Sequence, residues 1–373
     1  MKNTILTLTL ALLLTACGGG GTSASSSNDE LSLNEQTQDD YTPDDIYEPV
    51  PDEEPKVEEP TEPLLPEYAY FPAMNGLVER FDYTGAGVVI GIMESEFDLS
   101  HVEFADLDIL NRDDNSSLMG KDSSHSTSML SIIATSGIKM NGITQGASFV
   151  LGSYNNKEGY SQMNAYSQMN DMGVSVINNS WAGPAITSYD FTKTVKDLAT
   201  NGNQGKGIVF VFAMGNENTY FKDTLYPLMD DNNQETNESL DEHILIVGAL
   251  MSRTLAQTLE YPEQRQGFTN YGYPADIFIY DELEVTADLD DTYQEMGGTS
   301  SATAIMTSVI AMAQEARPDL DAYTLIELVC RTATQIGDKP YNREDHNGNM
   351  RSAEFGCGKL NVDAFLREVE GAE

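Results

Sequence analysis

A chain of 373 residues has room for one large domain and a tail, or for two small domains. A hydrophobic share of 40% is enough for a sizeable core. A formal net charge of −40 argues against nucleic acid and against adhesion to anionic lipid, and suits a surface that works in screening salt.

The chain opens as an export signal. Lys2 supplies the positive start, Ile5–Leu14 the apolar run, and Leu14-Thr15-Ala16-Cys17 a small-residue processing site. As a buried helix the run would be short and terminal, with glycines directly behind it. The ending resembles the lipobox of bacterial lipoproteins. That resemblance implies cleavage before Cys17, lipidation of Cys17, and attachment to the membrane through this anchor alone. Gly18, where an aspartate could follow the cysteine, implies the outer membrane of the cell envelope; periplasmic and outer faces both stay open. Residues 18–66 then turn acidic and proline-rich, with too little apolar content to pack, and read as an extended solvated spacer.

From Glu67 to Glu373 the composition is globular. Val88–Met93 closes a short, continuously apolar run rich in β-branched residues, as in a buried parallel strand. Similar runs recur at Ser148–Leu151, Val174–Ile177, Ile208–Phe212 and Ile244–Val247. Helical patterns lie between or after them at Ser126–Ala134, Tyr160–Asp171, Phe191–Asn201 and Leu320–Thr332. The alternation predicts an α/β domain, a doubly wound parallel sheet with helices on both faces. Ligands in such a sheet bind at the carboxyl ends of the strands.

Several residues at such ends can carry chemistry. Glu94, Glu96 and Asp98 follow the first strand, and Glu94 is placed to reach a histidine. Of the four histidines, His125 alone lies among small residues opening an apolar helix, where a general base can be held against a cleft. Asn216 ends the run IVFVFAMGN, so its side-chain N–H can donate to an oxyanion; a turn asparagine is the plainer reading. Ser180, Trp181 and Ala182, in INNSWAGP, read as one edge of a substrate groove. In EMGGTSSATAIMTSVIAMAQEARP, Gly297 and Gly298 precede Ser300 and Ser301 at the start of a buried helix that Pro318 stops. A helix start favours developing negative charge, though a capping serine fits as well.

The order carboxylate, histidine, asparagine, serine is that of the subtilisins. The chain resembles the subtilisin-like serine proteases, the subtilases, over nearly all of Tyr68–Val369. Gly298-Thr299-Ser300-Ser301-Ala302 is similar to the nucleophile motif GTSxAxP and implies Ser300 as nucleophile. His125–Ala134 is similar to HGTHVAGIIA and implies His125 as general base. Ala213-Met214-Gly215-Asn216 matches AAGN, implying Asn216 in the oxyanion hole and Ala213–Gly215 along the groove. Ile92–Asp98 lines up with VIDTGID, putting Glu94 where the family has aspartate. Smaller matches are Phe268–Gly272 and Gly356–Asn361. The surrounding text is most similar to the protease domains of surface autotransporter subtilases, of which only the protease part is shared. The low-complexity spacer implies folding without a folded inhibitory propeptide.

The resemblance implies a serine endopeptidase acting on protein or peptide substrates, with Glu94 orienting His125. The departures leave a second reading open, a subtilase-fold lipoprotein that binds peptides or an envelope partner without cutting them. Besides Glu94, these are Ser126, Ser128 and Ser131 in the histidine helix, Ala182 for a groove glycine, and Ala304 for proline. Cys330 and Cys357 can pair as a disulfide in an exported protein, the alternative being two separate buried thiols. No cofactor is required by this chemistry and no site residue is assigned to a metal. Calcium stays open at the acidic loops Asp230–Asp241, Asp288–Asp291 and Arg343–Glu354, each of which also reads as a solvated surface loop. The last echoes an EF-hand at Asp345, Asn347, Gly348 and Glu354 but begins with Arg343. Oligomeric state is not legible.

Overall fold

The computed structural model describes residues 82–111, 124–154, 162–181, 188–221, 225–230, 232, 234–251, 263–281 and 284–372. The signal segment, Cys17, the acidic spacer and Ala182 lie outside these residues.

Seven parallel strands form the central sheet: β1 (Val89–Glu94), β2 (Asp108–Ile109), β3 (Ser148–Ser153), β4 (Val176–Asn179), β5 (Val209–Ala213), β6 (Leu245–Leu250) and β7 (Ile277–Tyr280). Their order is β7-β6-β5-β4-β1-β3-β2. After β1 the chain builds outward on one side as β2 and β3, then returns to the other side with β4 through β7. The strand order therefore reverses around β1, and the crevice at the carboxyl ends opens there.

Side chains alternate across the strands, so the sheet has two cores. Ile90 and Ile92 of β1, Val209 and Val211 of β5, and Leu245 and Val247 of β6 share one core. That face is covered by α1 (Ser124–Ile133), α4 (Thr299–Ala316), α5 (Ala322–Thr332) and α6 (Val362–Gly371). Met93, Ile177, Phe210, Phe212 and Ile246 face the other way. They meet Tyr166 and Met169 of α2 (Gln162–Asp171) and Phe191 and Val195 of α3 (Tyr189–Gly205). Helix α4 is buried from Thr299 through Gln314. Its inner hydroxyls satisfy themselves against the preceding turn, Thr303 on Thr299 O at 2.8 Å and Thr307 on Thr303 O at 2.9 Å.

The predicted strands and helices are present, with informative shifts. β4 lies two residues later than its apolar run and takes in Asn178 and Asn179, because their amides find partners inside the protein. The regular part of α3 ends near Asn201; Gly202, Asn203 and Gln204 leave helical dihedrals although the helix is bounded at Gly205. Several elements have no counterpart in the sequence reading, among them the two-residue β2, β7 and α6. β7 is only four residues long, and α6 is a charged amphipathic turn sequence held by packing of Phe365, Leu366 and Val369 in the first core. The EF-hand echo is corrected. Residues 343–344 pair antiparallel with 350–351 as a hairpin rather than joining two helices, and Asp345 accepts the loop's own Asn347 and Asn349 N–H groups.

A second hairpin, β8 (Glu284–Ala287) and β9 (Tyr293–Met296), leads directly into α4. It is stitched to α1 by serines that replace a histidine and a glycine of the family motif. Ser128 Oγ donates to Ala287 O at 3.0 Å, and Ala287 N–H donates to Ser131 Oγ at 3.0 Å. Ser126 Oγ accepts Ser95 N–H at 3.2 Å. The added bulk is thus absorbed as hydrogen bonds between α1 and its neighbours.

Cys330 of α5 is disulfide-bonded to Cys357, across a sequence separation of 27 residues. The closing segment runs beside β7, with Phe278 N–H on Gly358 O at 3.0 Å and Leu360 N–H on Phe278 O at 2.9 Å. Closing a loop of this length restricts the unfolded chain by about 3 kcal/mol. A Cys330→Ala/Cys357→Ala variant is expected to lose about that much in urea unfolding, and an equal loss is expected of the wild-type chain unfolded under reducing conditions.

Candidate active site

The site assembles at the carboxyl ends of β1, β4 and β5. Glu94 is the last residue of β1 and has no solvent exposure. A buried carboxylate is costly unless it is paired and hydrogen-bonded. Oε1 accepts the Ser180 N–H at 2.9 Å and the Asn178 side-chain amide at 3.3 Å. Oε2 lies 3.2 Å from Nδ1 of His125, an ion pair that is its one polar contact among the described residues.

His125 is held by the first turn of α1. Its side chain is 40% exposed, so the ring can meet a ligand while Nδ1 faces inward. Desolvation by its surroundings works to lower the imidazole pKa. The charge of Glu94 and its hydrogen bond to the ring oppose this and win, so the net shift is upward from 6.5. With Nδ1 committed to Glu94, Nε2 is the nitrogen left for proton transfer.

Ser300 occupies the first turn of α4 and is 9% exposed. Its hydroxyl donates to Ser180 O at 2.9 Å, so it must turn away from that carbonyl to reach an imidazole. Gly298, immediately before the helix, has φ 91° and ψ −173°, a conformation essentially restricted to glycine. Thr299 then fixes Asn216, whose Oδ1 accepts the Thr299 N–H at 3.2 Å and hydroxyl at 2.9 Å. With Oδ1 occupied, the Nδ2 donor is turned outward on an exposed residue. The Thr299 N–H is taken by Asn216, but the Ser300 N–H of the same first turn lacks an intrahelical acceptor, which makes this corner suited to a developing oxyanion.

These positions match a protein-family model over residues 85–358, that of the peptidase S8 subtilase family. The chain belongs to the subtilase family. Subtilases are serine endopeptidases, a class of hydrolase. The dibasic-processing endoprotease of Yarrowia lipolytica (strain CLIB 122 / E 150) is 28% identical over 192 residues, 48% of this chain and 18% of that protein. The chain therefore spans under a fifth of that relative's length. Among solved structures, the Aeromonas sobria serine protease, crystallised in complex with the chaperone ORF2, superposes with TM-score 0.58 at 17% identity. The match covers 78% of this chain and 61% of that one. The prenylagaramide maturation protease PagA gives TM-score 0.58 at 19% identity, covering 80% and 100% respectively. Likeness at these identities is one of fold.

Other residues expected at the subtilase site have different surroundings. Asp98 is committed to Ser100 and to the Asp290 N–H, so it does not stand in for Glu94. His101 is buried and binds Thr292 O and the Glu103 N–H. Met214 packs its side chain in the second core, which leaves only its backbone to line a groove. The carbonyls of Met214 and Gly215 accept from Asn270. Trp181 donates to Met93 O at 2.9 Å and packs edge-on against Phe212, so it supports the groove wall from beneath. Asn178, Ser180 and Thr299 act on the site through contacts that motif spacing does not reveal. The available signal was the run of polar residues from Asn178 to Ser180 at the end of an apolar strand.

Of the acidic loops, Asp230 accepts the Asn232 and Gln234 N–H groups, and Asp241 accepts those of Leu225 and Tyr226. These carboxylates are therefore committed to backbone N–H groups, Asp230 within its own loop and Asp241 on the segment before it. Among the described residues, the acidic, histidine and cysteine side chains that converge at metal-ligand spacing are Cys330, Asp345 and Cys357, and the two sulfurs are joined to each other.

The raised His125 pKa has two consequences. The His125–Glu94 pair stabilises the fold most below pH 6.5, and that contribution fades as pH rises through the raised folded-state value. A general base must be neutral, so the acid limb of activity is expected to have its midpoint above 6.5. Glu94→Gln removes the charge that raises it, and the limb measured by probe labelling against pH is expected to move to lower pH. Gly298→Ala is expected to cost about 1–3 kcal/mol in thermal or urea unfolding and to slow labelling by displacing Ser300.

Proposed function

We propose that this subtilase cuts peptide bonds with a Glu94–His125–Ser300 triad, tethered to the bacterial envelope by a lipid on Cys17. One residue carries the reading. Ser180 holds Glu94 through its N–H and Ser300 through its carbonyl, which brings the carboxylate that pairs with His125 next to the nucleophile. The extra methylene of glutamate is accommodated, since the carboxylate still reaches Nδ1.

In the proposed reaction a substrate displaces the Ser300 hydroxyl from Ser180 O. Ser300 Oγ attacks the scissile carbonyl while its proton passes to Nε2 of His125. Glu94 stabilises the imidazolium. Asn216 Nδ2 and the Ser300 N–H stabilise the oxyanion. Collapse breaks the C–N bond, and His125 returns the proton to the leaving amine. Water, deprotonated by His125, then releases the acyl group. These steps use only side-chain and backbone groups of this chain. Exposed segments of envelope or secreted proteins fit as substrates, with residues 18–66 as the spacer that holds the domain away from the membrane. The peptide-binding alternative draws on the resting Ser300 hydroxyl, which is bonded to Ser180 O rather than to His125.

Labelling of the mature chain with a fluorophosphonate probe tests the reading. Labelling is expected in the wild type, to vanish in Ser300→Ala, and to fall by up to roughly 10⁴-fold in Glu94→Ala. A folded wild-type chain that takes no label from neutral to mildly alkaline pH would favour the binding protein. Cys17→Ala is expected to move the chain from the membrane to the soluble fraction, checked by fractionation and by loss of fatty-acid incorporation.

A further inference from the structure

We propose that Asn178 is a positioning residue for the reaction, holding Glu94 so that Oε2 faces His125. The inference rests on the reading that Glu94 orients His125. A glutamate has one more rotatable bond than the aspartate expected at this position. To present one oxygen to an imidazole, its other oxygen must be pinned. Asn178 and the Ser180 N–H do this at Oε1, and Oε2 is left to the ring.

Asn178 is fully buried on β4 and pairs in register with Ile92, two residues before Glu94. The orientation of its amide is set by Glu94, whose carboxylate oxygen accepts and so faces Nδ2. One Nδ2 hydrogen goes to Glu94 Oε1 and the other to Ser180 Oγ at 3.0 Å. The Ser180 hydroxyl donates to Ser300 O at 2.9 Å, and the Thr307 hydroxyl, which donates to Thr303 O, lies 3.2 Å from Oδ1. A flipped amide would set its oxygen against the carboxylate. Thr307 lies two turns beyond Ser300 on α4. Asn178 therefore ties the orienting carboxylate to the helix that carries the nucleophile. An apolar strand residue would satisfy packing at this depth, but it would leave Oε1 with a single donor and the longer side chain free to rotate.

The test is a double-mutant cycle on the mature chain, read as the maximal labelling rate and the half-saturating concentration of a fluorophosphonate probe. Asn178→Ala is expected to lower the maximal rate about 10-fold, with half-saturation changed by less than about twofold. In a Glu94→Gln background the same substitution is expected to cost almost nothing more, because the group it positions is gone. Thr307→Val keeps the shape and removes the hydroxyl that lies 3.2 Å from the amide oxygen. It is expected to give a smaller loss that also disappears beside Glu94→Gln, and it carries the test if Asn178→Ala fails to fold. Equal losses in both backgrounds, or an unchanged rate in a folded Asn178→Ala chain, would overturn the proposal. A harmful Glu94→Gln beside a silent Asn178→Ala overturns this inference alone. A silent Glu94→Gln overturns it together with the triad.

Discussion

A single buried negative charge organises the centre of this molecule. Glu94 ends β1, an interior strand of the sheet, with no access to water, in a chain that already carries a large excess of acid. Such a charge persists only where donors and a countercharge surround it. β4 supplies one donor from the Asn178 side chain, the residue after that strand supplies a backbone N–H, and α1 supplies an imidazole. The sheet's reversal around β1 puts all three within reach, since β4 and the returning helix flank the same strand end. The arrangement that satisfies the carboxylate is also the one that, in the proposed reaction, prepares His125 to accept a proton.

Ser300, the proposed nucleophile, is positioned by a second set of constraints that leans on the first. Gly298 turns the chain at a backbone geometry closed to other residues, and Thr299 locks Asn216 as the helix begins. The hairpin that feeds Gly298 is bound to α1 through Ser128 and Ser131. The histidine helix and the nucleophile turn are therefore connected on both sides, by this hairpin above and by Ser180 and Asn178 below. Departures from the usual subtilase text are concentrated on these connections. Serines in α1 trade close helix packing for hydrogen bonds to the hairpin, and the glutamate trades a short rigid arm for a longer one with an added anchor.

Much of this was legible in the chain. Apolar runs mark the buried strands because a parallel sheet covered on both faces tolerates little else. The spacing of the Glu94, His125, Asn216 and Ser300 blocks follows from the order in which strand ends reach the cleft. β7 and α6 were not legible. The first is too short to show a period, and the second is helical because its apolar side docks on α4 rather than because its composition demands a helix. The displaced start of β4 has the same origin, since asparagines read as strand only once their amides have partners.

The sequence by itself determined the α/β class, the alternation of elements and the identity of the groups able to do acyl-transfer chemistry, since these depend on local periodicity and on side-chain type. Tertiary structure decided that Glu94 reaches His125 despite its extra methylene and that the replacing serines bond instead of clashing. It also decided that Ser180 and Asn178 stand between acid and nucleophile. Those outcomes depend on distances of a few tenths of an ångström between residues far apart in the chain, and no local pattern encodes them.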